Sequence, residues 1–165
     1  MKKCGFLPVL DEHTEVLILG SLPSDESIRK QQYYGNPGND FWRLLGKAIR
    51  EDLVSSGYEE RIRILRKHHI GLWDVFRAGE RTGSLDSEIR GTPSPPEVND
   101  FSKLKNLAPG LRLICFNGKM AGKYAPFLKE PGYETKILPS SSGANRRFSE
   151  KRAEEWASVF KAWRF

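Results

Sequence analysis

Four short, largely apolar runs, each followed by a turn or a polar loop, set the pattern of the chain. They are EVLILG, IGLWDVF, LRLICF and ETKILP, at residues 15–20, 70–76, 111–116 and 134–139. Each has the length of a strand, and an apolar run without alternation is typical of a parallel strand buried on both faces. The pattern therefore predicts four strands of a parallel sheet, of which the first, at 15–20, is buried.

Segments with helical periodicity separate these runs. Asn39 is a good N-cap, and Phe41, Trp42 and Leu45 after it fall on one apolar face. Strands that alternate with helices predict an α/β fold, a three-layer α/β/α arrangement with a central four-stranded parallel sheet. Further helices are predicted at 58–69, 100–109, 119–128 and 149–163.

Two polar segments interrupt this alternation. Residues 77–91, RAGERTGSLDSEIRG, are rich in turn formers and are predicted to lie on the surface. Residues 92–100, TPSPPEVND, are a proline-dense and therefore stiff connector. Neither segment is long enough to be a domain, and 165 residues favour a single domain over residues 1–165.

Composition places the chain among ordinary globular proteins, since 38% of its residues are hydrophobic and 29% are charged. No apolar run approaches the roughly 20 residues that span a bilayer. Lys2 and Lys3 are not followed by an uninterrupted apolar segment, so no signal peptide is predicted. We therefore expect a cytoplasmic protein without a membrane span.

The charge balance is basic, with 27 Lys and Arg against 21 Asp and Glu. A positive surface suits a nucleic acid, because phosphate contacts supply most non-specific affinity, although a merely soluble basic protein fits equally well. Cys4 and Cys115 form no CxxC pair and lie near no histidine cluster. No metal site or cofactor is expected on that basis.

The loops after the four strands should meet at the carboxyl edge of the sheet, where open α/β sheets bind ligands. Common catalytic patterns are absent from them. There is no GxxxxGK[ST] or GxGxxG phosphate loop, no nucleophile elbow beside a histidine, and no acidic pair at two strand ends. The site chemistry must come from other residues.

Five segments in order resemble the hypoxanthine-DNA glycosylase group of the uracil-DNA glycosylase superfamily. They are GSLPSDES, QQYYGNPGNDFW, GLWDV, GERTGSLDSEIRG and LPSSSGANRRFS. The resemblance implies a uracil-DNA glycosylase-like fold and an enzyme of base excision repair that removes a deaminated purine, hypoxanthine, from DNA. It implies a monomer that needs no metal or cofactor and binds DNA containing a damaged base, which must be extruded from the duplex. With no lysine in the loop motifs as a Schiff-base nucleophile, the glycosylase would be monofunctional.

Under this resemblance Asn39 is the candidate catalytic residue. Uracil enzymes place an Asp or Asn two positions beyond the glycine of the first loop, but that position is Leu22 here. The carboxamide oxygen of Asn39 is expected to accept a hydrogen bond from a water and direct it at the sugar carbon. The competing interpretation is that Asn39 only caps the following helix.

Five residues are candidates for binding the extruded base. Tyr34 would stack on it, because aromatic faces bind any base. Asp74, where uracil enzymes carry a base-reading Asn, could accept from the N–H of hypoxanthine, with a turn or capping role as the alternative. The others are Gly20 and Ser21, through backbone N–H groups, and Asn117, which equally suits a turn.

The last motif supplies the candidates for DNA contacts. Short hydroxyl and amide groups beside glycine suit phosphates and the minor groove, and arginines suit phosphates. The family's usual histidine in this motif is Leu138 here, so a charged stabiliser of the leaving base is missing. The candidates are Ser140, Ser142, Asn145, Arg146 and Arg147.

Two other functions fit the same residues. One is a glycosylase that removes uracil from mismatches or single strands. The other is a non-catalytic DNA-binding module whose pocket only holds a flipped base. Base-release assays separate these alternatives.

Overall fold

A computed structural model describes residues 2–80, 97–129 and 131–162 of the chain. Seven strands lie in these ranges, and they form two sheets. The strands are β1 (Lys2–Cys4), β2 (Val16–Gly20), β3 (Ile70–Asp74), β4 (Phe76–Glu80), β5 (Glu97–Val98), β6 (Leu113–Asn117) and β7 (Glu134–Leu138).

The larger sheet has the order β3-β2-β6-β7, and every neighbouring pair in it is parallel. The predicted four-stranded parallel sheet is therefore confirmed. Its central strand β2 is buried throughout, and its side chains alternate between two hydrophobic cores. Val16 and Ile18 join one core, and Leu17 and Leu19 join the other. Burial on both faces explains why this strand is a continuous apolar run.

Helices cover both faces of this sheet, as the three-layer prediction requires. The α-helices in the described ranges are α1 (Asp25–Lys30), α2 (Phe41–Ile49), α3 (Tyr58–Lys67), α4 (Leu104–Leu107), α5 (Lys119–Gly122), α6 (Ala125–Lys129) and α7 (Ser149–Ala162). The core around Val16 and Ile18 includes side chains of α2, α3 and α7, whereas the core around Leu17 and Leu19 includes side chains of α4, α5 and α6. No helix within the described ranges is long and apolar enough to cross a membrane.

The second sheet, of order β1-β4-β5, was not predicted. The run at 70–76 was expected to form one strand, but β3 ends at Asp74 and β4 begins at Phe76 in the antiparallel sheet. At the change of sheet the backbone N–H groups of Val75 and Phe76 still donate to the carbonyls of Gly20 and Ser21, at 2.8 and 3.1 Å, and β4 then pairs with β1 and β5. Part of the predicted surface segment is therefore β4, and its residues 81–91, with 92–96 of the connector, lie outside the described residues.

Two predicted helices are interrupted. Residues 100–109 form a 3-10 turn at Phe101–Lys103 followed by α4, and residues 119–128 fall into α5 and α6. In the long polar loop after β2, the Ser24 side chain caps α1 by accepting from the Ser27 N–H. These departures leave the positions of the strand ends, and therefore of the site, unchanged.

Candidate active site

A cavity of about 890 Å³ opens at the carboxyl edge of the parallel sheet. Its volume lies within the range of about 300–1,000 Å³ usual for ligand pockets. The loops after β2, β6 and β7 contribute to its lining, as does Asp74 at the end of β3, in agreement with the parallel topology. Nine predicted site residues line it: Gly20, Ser21, Tyr34, Asn39, Asp74, Asn117, Ser140, Ser142 and Asn145.

Gly20 forms part of the cavity wall where β2 meets β3, opposite Asp74 in the ladder. A Cβ atom on Gly20 would lie 2.7 Å from Asp74 Oδ1 and 2.8 Å from the Tyr34 hydroxyl oxygen. The Asp74 and Tyr34 side chains therefore occupy the space beside the Gly20 backbone that the Cβ atom of any other residue at this position would fill. The glycine at this strand end serves close approach rather than an unusual backbone angle.

The Tyr34 ring is held rigidly. It stacks on Phe41 with ring centres 3.7 Å apart and planes 6° from parallel, and the indole N–H of Trp42 donates to the Tyr34 carbonyl at 3.1 Å. Its backbone φ of 53° is rare for a bulky residue, and such strain concentrates at functional sites. Because Phe41 covers one face of the ring, only the opposite face is available to a base.

The neighbouring Tyr33 is buried and packs edge-on against Phe6. Its hydroxyl donates to the Leu7 carbonyl at 2.8 Å. Burial, with the negative charge of Asp74 adding to it, raises the pKa of Tyr33 far above its ordinary value. Tyr33 therefore stays neutral, and it is part of the cavity lining.

Asn39 lines the cavity next to the start of α2. Its Oδ1 accepts from the Phe41 N–H at 3.0 Å and from the Ser141 hydroxyl at 2.7 Å. The helix begins at Phe41 with Asp40 as its N-cap, so the prediction of Asn39 as the N-cap is wrong by one residue, although the Asn39 side chain still accepts from the first N–H of the helix. A carboxamide oxygen has two lone pairs, and both are used, so the oxygen that we expected to hold a water is occupied. Within the described residues no partner binds Nδ2, which is the remaining polar group of Asn39.

Ser141 was missed by the sequence reasoning, which selected its two neighbours. It is 1% exposed, and each of its polar groups is hydrogen-bonded. Its N–H donates to Asn117 Oδ1 at 2.9 Å, its carbonyl accepts from the Asp40 N–H at 2.9 Å, and its hydroxyl accepts from Asn117 Nδ2 at 2.8 Å. The same hydroxyl donates to Asn39, so Ser141 joins the loops after β6 and β7 to the start of α2.

Asn117 lies at the end of β6 and is buried. Besides its two bonds to Ser141, its Nδ2 donates to the Tyr34 hydroxyl at 3.3 Å. The carboxamide therefore has both N–H groups and its oxygen engaged within the protein. Asn117 supports the cavity wall, and neither of its N–H groups is left over for a base.

A cluster of charged side chains also lies at the N-terminus of α2. It was not predicted from the sequence. Asp40 is 4% exposed, and it accepts from Arg152 at 2.6 Å and from Arg146 at 3.0 and 3.1 Å. Arg43 pairs with the same carboxylate at 3.1 Å. Burial, the largest effect, raises the pKa of Asp40, but the hydrogen bonds from Arg146 and Arg152 and the charges of Arg43 and Arg146 outweigh it. The net pKa is lowered, so Asp40 is ionised.

Arg152 is the buried member of this cluster, and its side chain is 0% exposed. Besides Asp40, it donates to the carbonyls of Ser140 and Ser142, at 3.2 and 3.0 Å. It thereby fixes the loop after β7 against α7. Helical periodicity predicted α7 but gave no sign that a charged residue on it is buried.

Three of the residues predicted to contact DNA form hydrogen bonds within the loop after β7. Ser140 Oγ accepts from the Ser142 N–H at 3.1 Å, Ser142 Oγ accepts from the Ala144 N–H at 3.2 Å, and Asn145 donates to the Ser140 carbonyl at 3.2 Å. These bonds give the loop a fixed shape beside the cavity. A DNA strand would therefore meet a preformed surface.

The two arginines of this motif differ. Arg146 does not line the cavity, and it donates to Asp40 and to the Gly38 carbonyl, although half of its side chain is exposed. The side chain of Arg147 lies outside the described part of the chain. Lys119 and Lys151 line the cavity and are exposed to solvent. With the exposed carboxylate of Glu155, these two lysines leave a small excess of positive charge in the lining, which suits DNA phosphates.

Leu22 and Leu138 occupy the two positions where the sequence departs from the family pattern. Both are buried, and each belongs to one of the two hydrophobic cores. In the described residues, no three His, Cys, Asp or Glu side chains gather in a group that could hold a metal ion.

Comparison with known proteins agrees with this geometry. The sequence model of the Uracil DNA glycosylase superfamily matches residues 7–164. A protein of Methanosarcina acetivorans named Hypoxanthine DNA glycosylase is 65% identical over 161 residues, which cover 98% of this chain and 99% of that protein. A protein of the same name from Methanosarcina barkeri is 60% identical over the same shares of the two chains.

A solved structure is similar as well. It is the solution NMR structure of a Methanosarcina acetivorans protein described provisionally as a uracil DNA glycosylase. The TM-score is 0.88 at 64% sequence identity, and the match covers 98% of each chain. The resemblance found in the five sequence motifs is thereby confirmed, and with it the uracil-DNA glycosylase-like fold. The chain belongs to the Uracil DNA glycosylase superfamily.

Proposed function

We propose that this protein is a monofunctional DNA glycosylase of base excision repair, which hydrolyses the N-glycosidic bond of hypoxanthine in DNA. The main support for the proposal is the cavity, whose lining includes the aromatic ring of Tyr34, the carboxyl group of Asp74 and the amide of Asn39. The two full-length relatives named Hypoxanthine DNA glycosylase support the choice of base. The substrate is DNA with a damaged base, and the cavity would receive that base after extrusion from the duplex.

Recognition of the base follows from the chemistry of the wall. Hypoxanthine carries a hydrogen on N1, which the buried carboxylate of Asp74 can accept, whereas adenine has a lone pair at N1 that a carboxylate repels. The open face of Tyr34 supplies stacking, which is worth about 1–3 kcal/mol per base. Gly20 and Ser21, at the end of β2, line the same part of the cavity beside Asp74.

The reaction is best described as dissociative. The C1′–N9 bond breaks, its electron pair leaves with the base, and water adds to the cationic sugar carbon. A proton lost from that water to solvent balances the proton that the base takes up, so the products are hypoxanthine and an abasic sugar. Asn39 Nδ2 would donate to one lone pair of the water and leave the other directed at C1′. A neutral amide suffices because the sugar cation does not require a deprotonated nucleophile.

A covalent mechanism through lysine is less compatible with the site. Schiff-base lysines are desolvated or placed beside another cation. Lys119 and Lys151, at the border of the cavity, are exposed to solvent. Borohydride should therefore trap no enzyme–DNA adduct during the reaction.

One set of assays tests the proposal against its alternatives. Labelled duplexes that carry deoxyinosine, deoxyuridine or no lesion are incubated with the protein, and abasic sites are cleaved with alkali. We expect cleavage at deoxyinosine only. Release of uracil but not hypoxanthine would overturn the choice of base, and no release with intact DNA binding would leave only the DNA-binding module.

We further propose that the protein acts as a monomer, as a single domain and in the cytoplasm. One chain supplies every group that the proposed reaction uses, which supports the first point. Sedimentation of the protein at assay concentrations tests it, and a dimer mass would contradict it.

A further inference from the structure

We infer that Ser141 is a positioning residue for the proposed glycosylase reaction, on which this inference rests. Its hydroxyl sets which end of the Asn39 carboxamide faces the cavity. Ser141 does not need to touch the substrate for this role. It acts through Asn39, whose Oδ1 lies 2.7 Å from the serine Oγ.

Asn117, Ser141 and Asn39 form a series of hydrogen bonds. Two backbone N–H groups, one at each end of the series, determine which atom donates and which accepts in every bond. At one end the Ser141 N–H donates to Asn117 Oδ1, so Asn117 must turn its Nδ2 toward the serine hydroxyl. The hydroxyl accepts from that Nδ2, and its single hydrogen is left for Asn39. At the other end the Phe41 N–H requires that Asn39 present its oxygen.

The consequence is a fixed orientation of the Asn39 amide. Turning it over would place Nδ2 against two donors, the Phe41 N–H and the Ser141 hydroxyl. With the oxygen held on that side, Nδ2 is the group left for the cavity. Asn39 therefore enters the reaction as a donor, and the serine hydroxyl supplies one of the two contacts that keep it so.

Burial makes this contact effective. Ser141 and Asn117 are 1% and 7% exposed, so water cannot easily replace a missing hydroxyl. Removing it leaves Asn117 Nδ2 without one of its two acceptors and relaxes Asn39 to a single restraint at Phe41. A buried donor that loses its acceptor forces its neighbours to rearrange.

A double-mutant cycle on hypoxanthine release tests the inference. Single-turnover rates at saturating enzyme are measured for the parent, Ser141→Ala, Asn39→Ala and the double variant. We expect Ser141→Ala to slow release at least tenfold while the half-saturating enzyme concentration stays within twofold. In the Asn39→Ala background the same change should alter the rate less than twofold, since coupled residues are not additive.

Ser141→Cys guards against a folding defect, because the thiol occupies the same place as a weak donor and should give an intermediate rate. Melting curves identify the variants that are folded. A Ser141→Ala rate within twofold of the parent, or an equal loss in both backgrounds, would overturn the inference. An inactive parent would instead refute the proposed function, so the two failures are distinguishable.

Discussion

Asn39 and Asp40 are adjacent in the chain, yet they belong to two different clusters, one held by neutral hydrogen bonds and the other by ion pairs. Asn39 belongs to the neutral cluster, with Ser141 and Asn117, and it lines the cavity. Asp40 belongs to the ionic cluster, with Arg146 and Arg152, and it faces α7. Both clusters tie the start of α2 to the loop after β7.

These two clusters show how one loop can contribute to both the chemistry and the stability of the protein. Neutral hydrogen bonds orient an amide without placing a strong charge beside the reacting sugar. A buried ion pair holds two segments firmly, but only if both charges are present. We therefore expect changes in the neutral cluster to alter the rate of base release, and changes in the ionic cluster to alter stability.

The largest expected effect is on stability, from Asp40→Asn. It would leave the buried guanidinium of Arg152 without its counter-charge, which typically costs about 3–5 kcal/mol. For a chain of this size that lowers the Tm by roughly 6–20 °C. Arg43→Ala is the matched control, because Arg43 pairs with the same carboxylate but is 58% exposed, and it should cost at most about 1 kcal/mol. Equal losses in the two variants would contradict the ranking.

The next effect is on rate, from Gly20→Ala. The new Cβ would meet Asp74 and the Tyr34 hydroxyl, at 2.7 and 2.8 Å, and displace both from the cavity wall. We expect release at least tenfold slower, about 1.4 kcal/mol of barrier, with a stability cost near 1 kcal/mol, the low end for overpacking. Gly57→Ala is the control, since nothing lies within 4 Å of that position. Unchanged release by Gly20→Ala would remove this wall from base binding.

Acid should weaken the ionic cluster selectively. The folded-state pKa of Asp40 lies below its ordinary value of 3.8, so the unfolded chain binds the proton more readily. The stabilisation is complete above about pH 5 and is lost as pH falls through 3.8 toward the folded pKa. The difference in Tm between the parent and Asp40→Asn should therefore shrink between pH 5 and pH 3. A constant difference would show that the charge of Asp40 contributes nothing.

The smallest effect is expected from Arg146→Ala. Its guanidinium pairs with Asp40, but the side chain is 53% exposed, so the stability loss should be at most about 1 kcal/mol. If Arg146 also contacts a phosphate, as predicted from the sequence, affinity for DNA falls and the salt dependence of log K becomes shallower by about 0.9. Binding titrations at several salt concentrations measure this slope. The same slope for the parent and the variant would restrict Arg146 to the ionic cluster.

The parallel sheet could be predicted because buried strands leave a strong local signal. The run VLIL in β2 is apolar on both faces, and glycine marks its end. The antiparallel sheet could not, since β1 (KKC) and β5 (EV) are too short to show a pattern, β4 (FRAGE) mixes apolar and polar residues, and the sheet depends on the pairing of β4 with both. Such pairing depends on the tertiary fold, which local patterns do not encode.

The site was predictable as a location, because loops after parallel strands must meet at one edge. Individual contacts were not. Nothing in the run Ser140-Ser141-Ser142 distinguishes the middle serine, which turns inward while its neighbours bond within the loop. In the sequence, Arg152 is one of several charged residues on α7. Its role as the partner of Asp40 depends on the fold, which brings Arg152 Nη2 to 2.6 Å from Asp40 Oδ2 across 112 residues of the chain.

The most direct test of the account is the rate at which Asn39→Ala releases hypoxanthine. A duplex with one deoxyinosine is mixed with saturating enzyme, and free hypoxanthine is quantified over time beside a binding titration. We predict a loss of well over tenfold, more than about 1.4 kcal/mol of barrier, with nearly unchanged DNA affinity. A rate within twofold of the parent would contradict the account and remove Asn39 from the reaction.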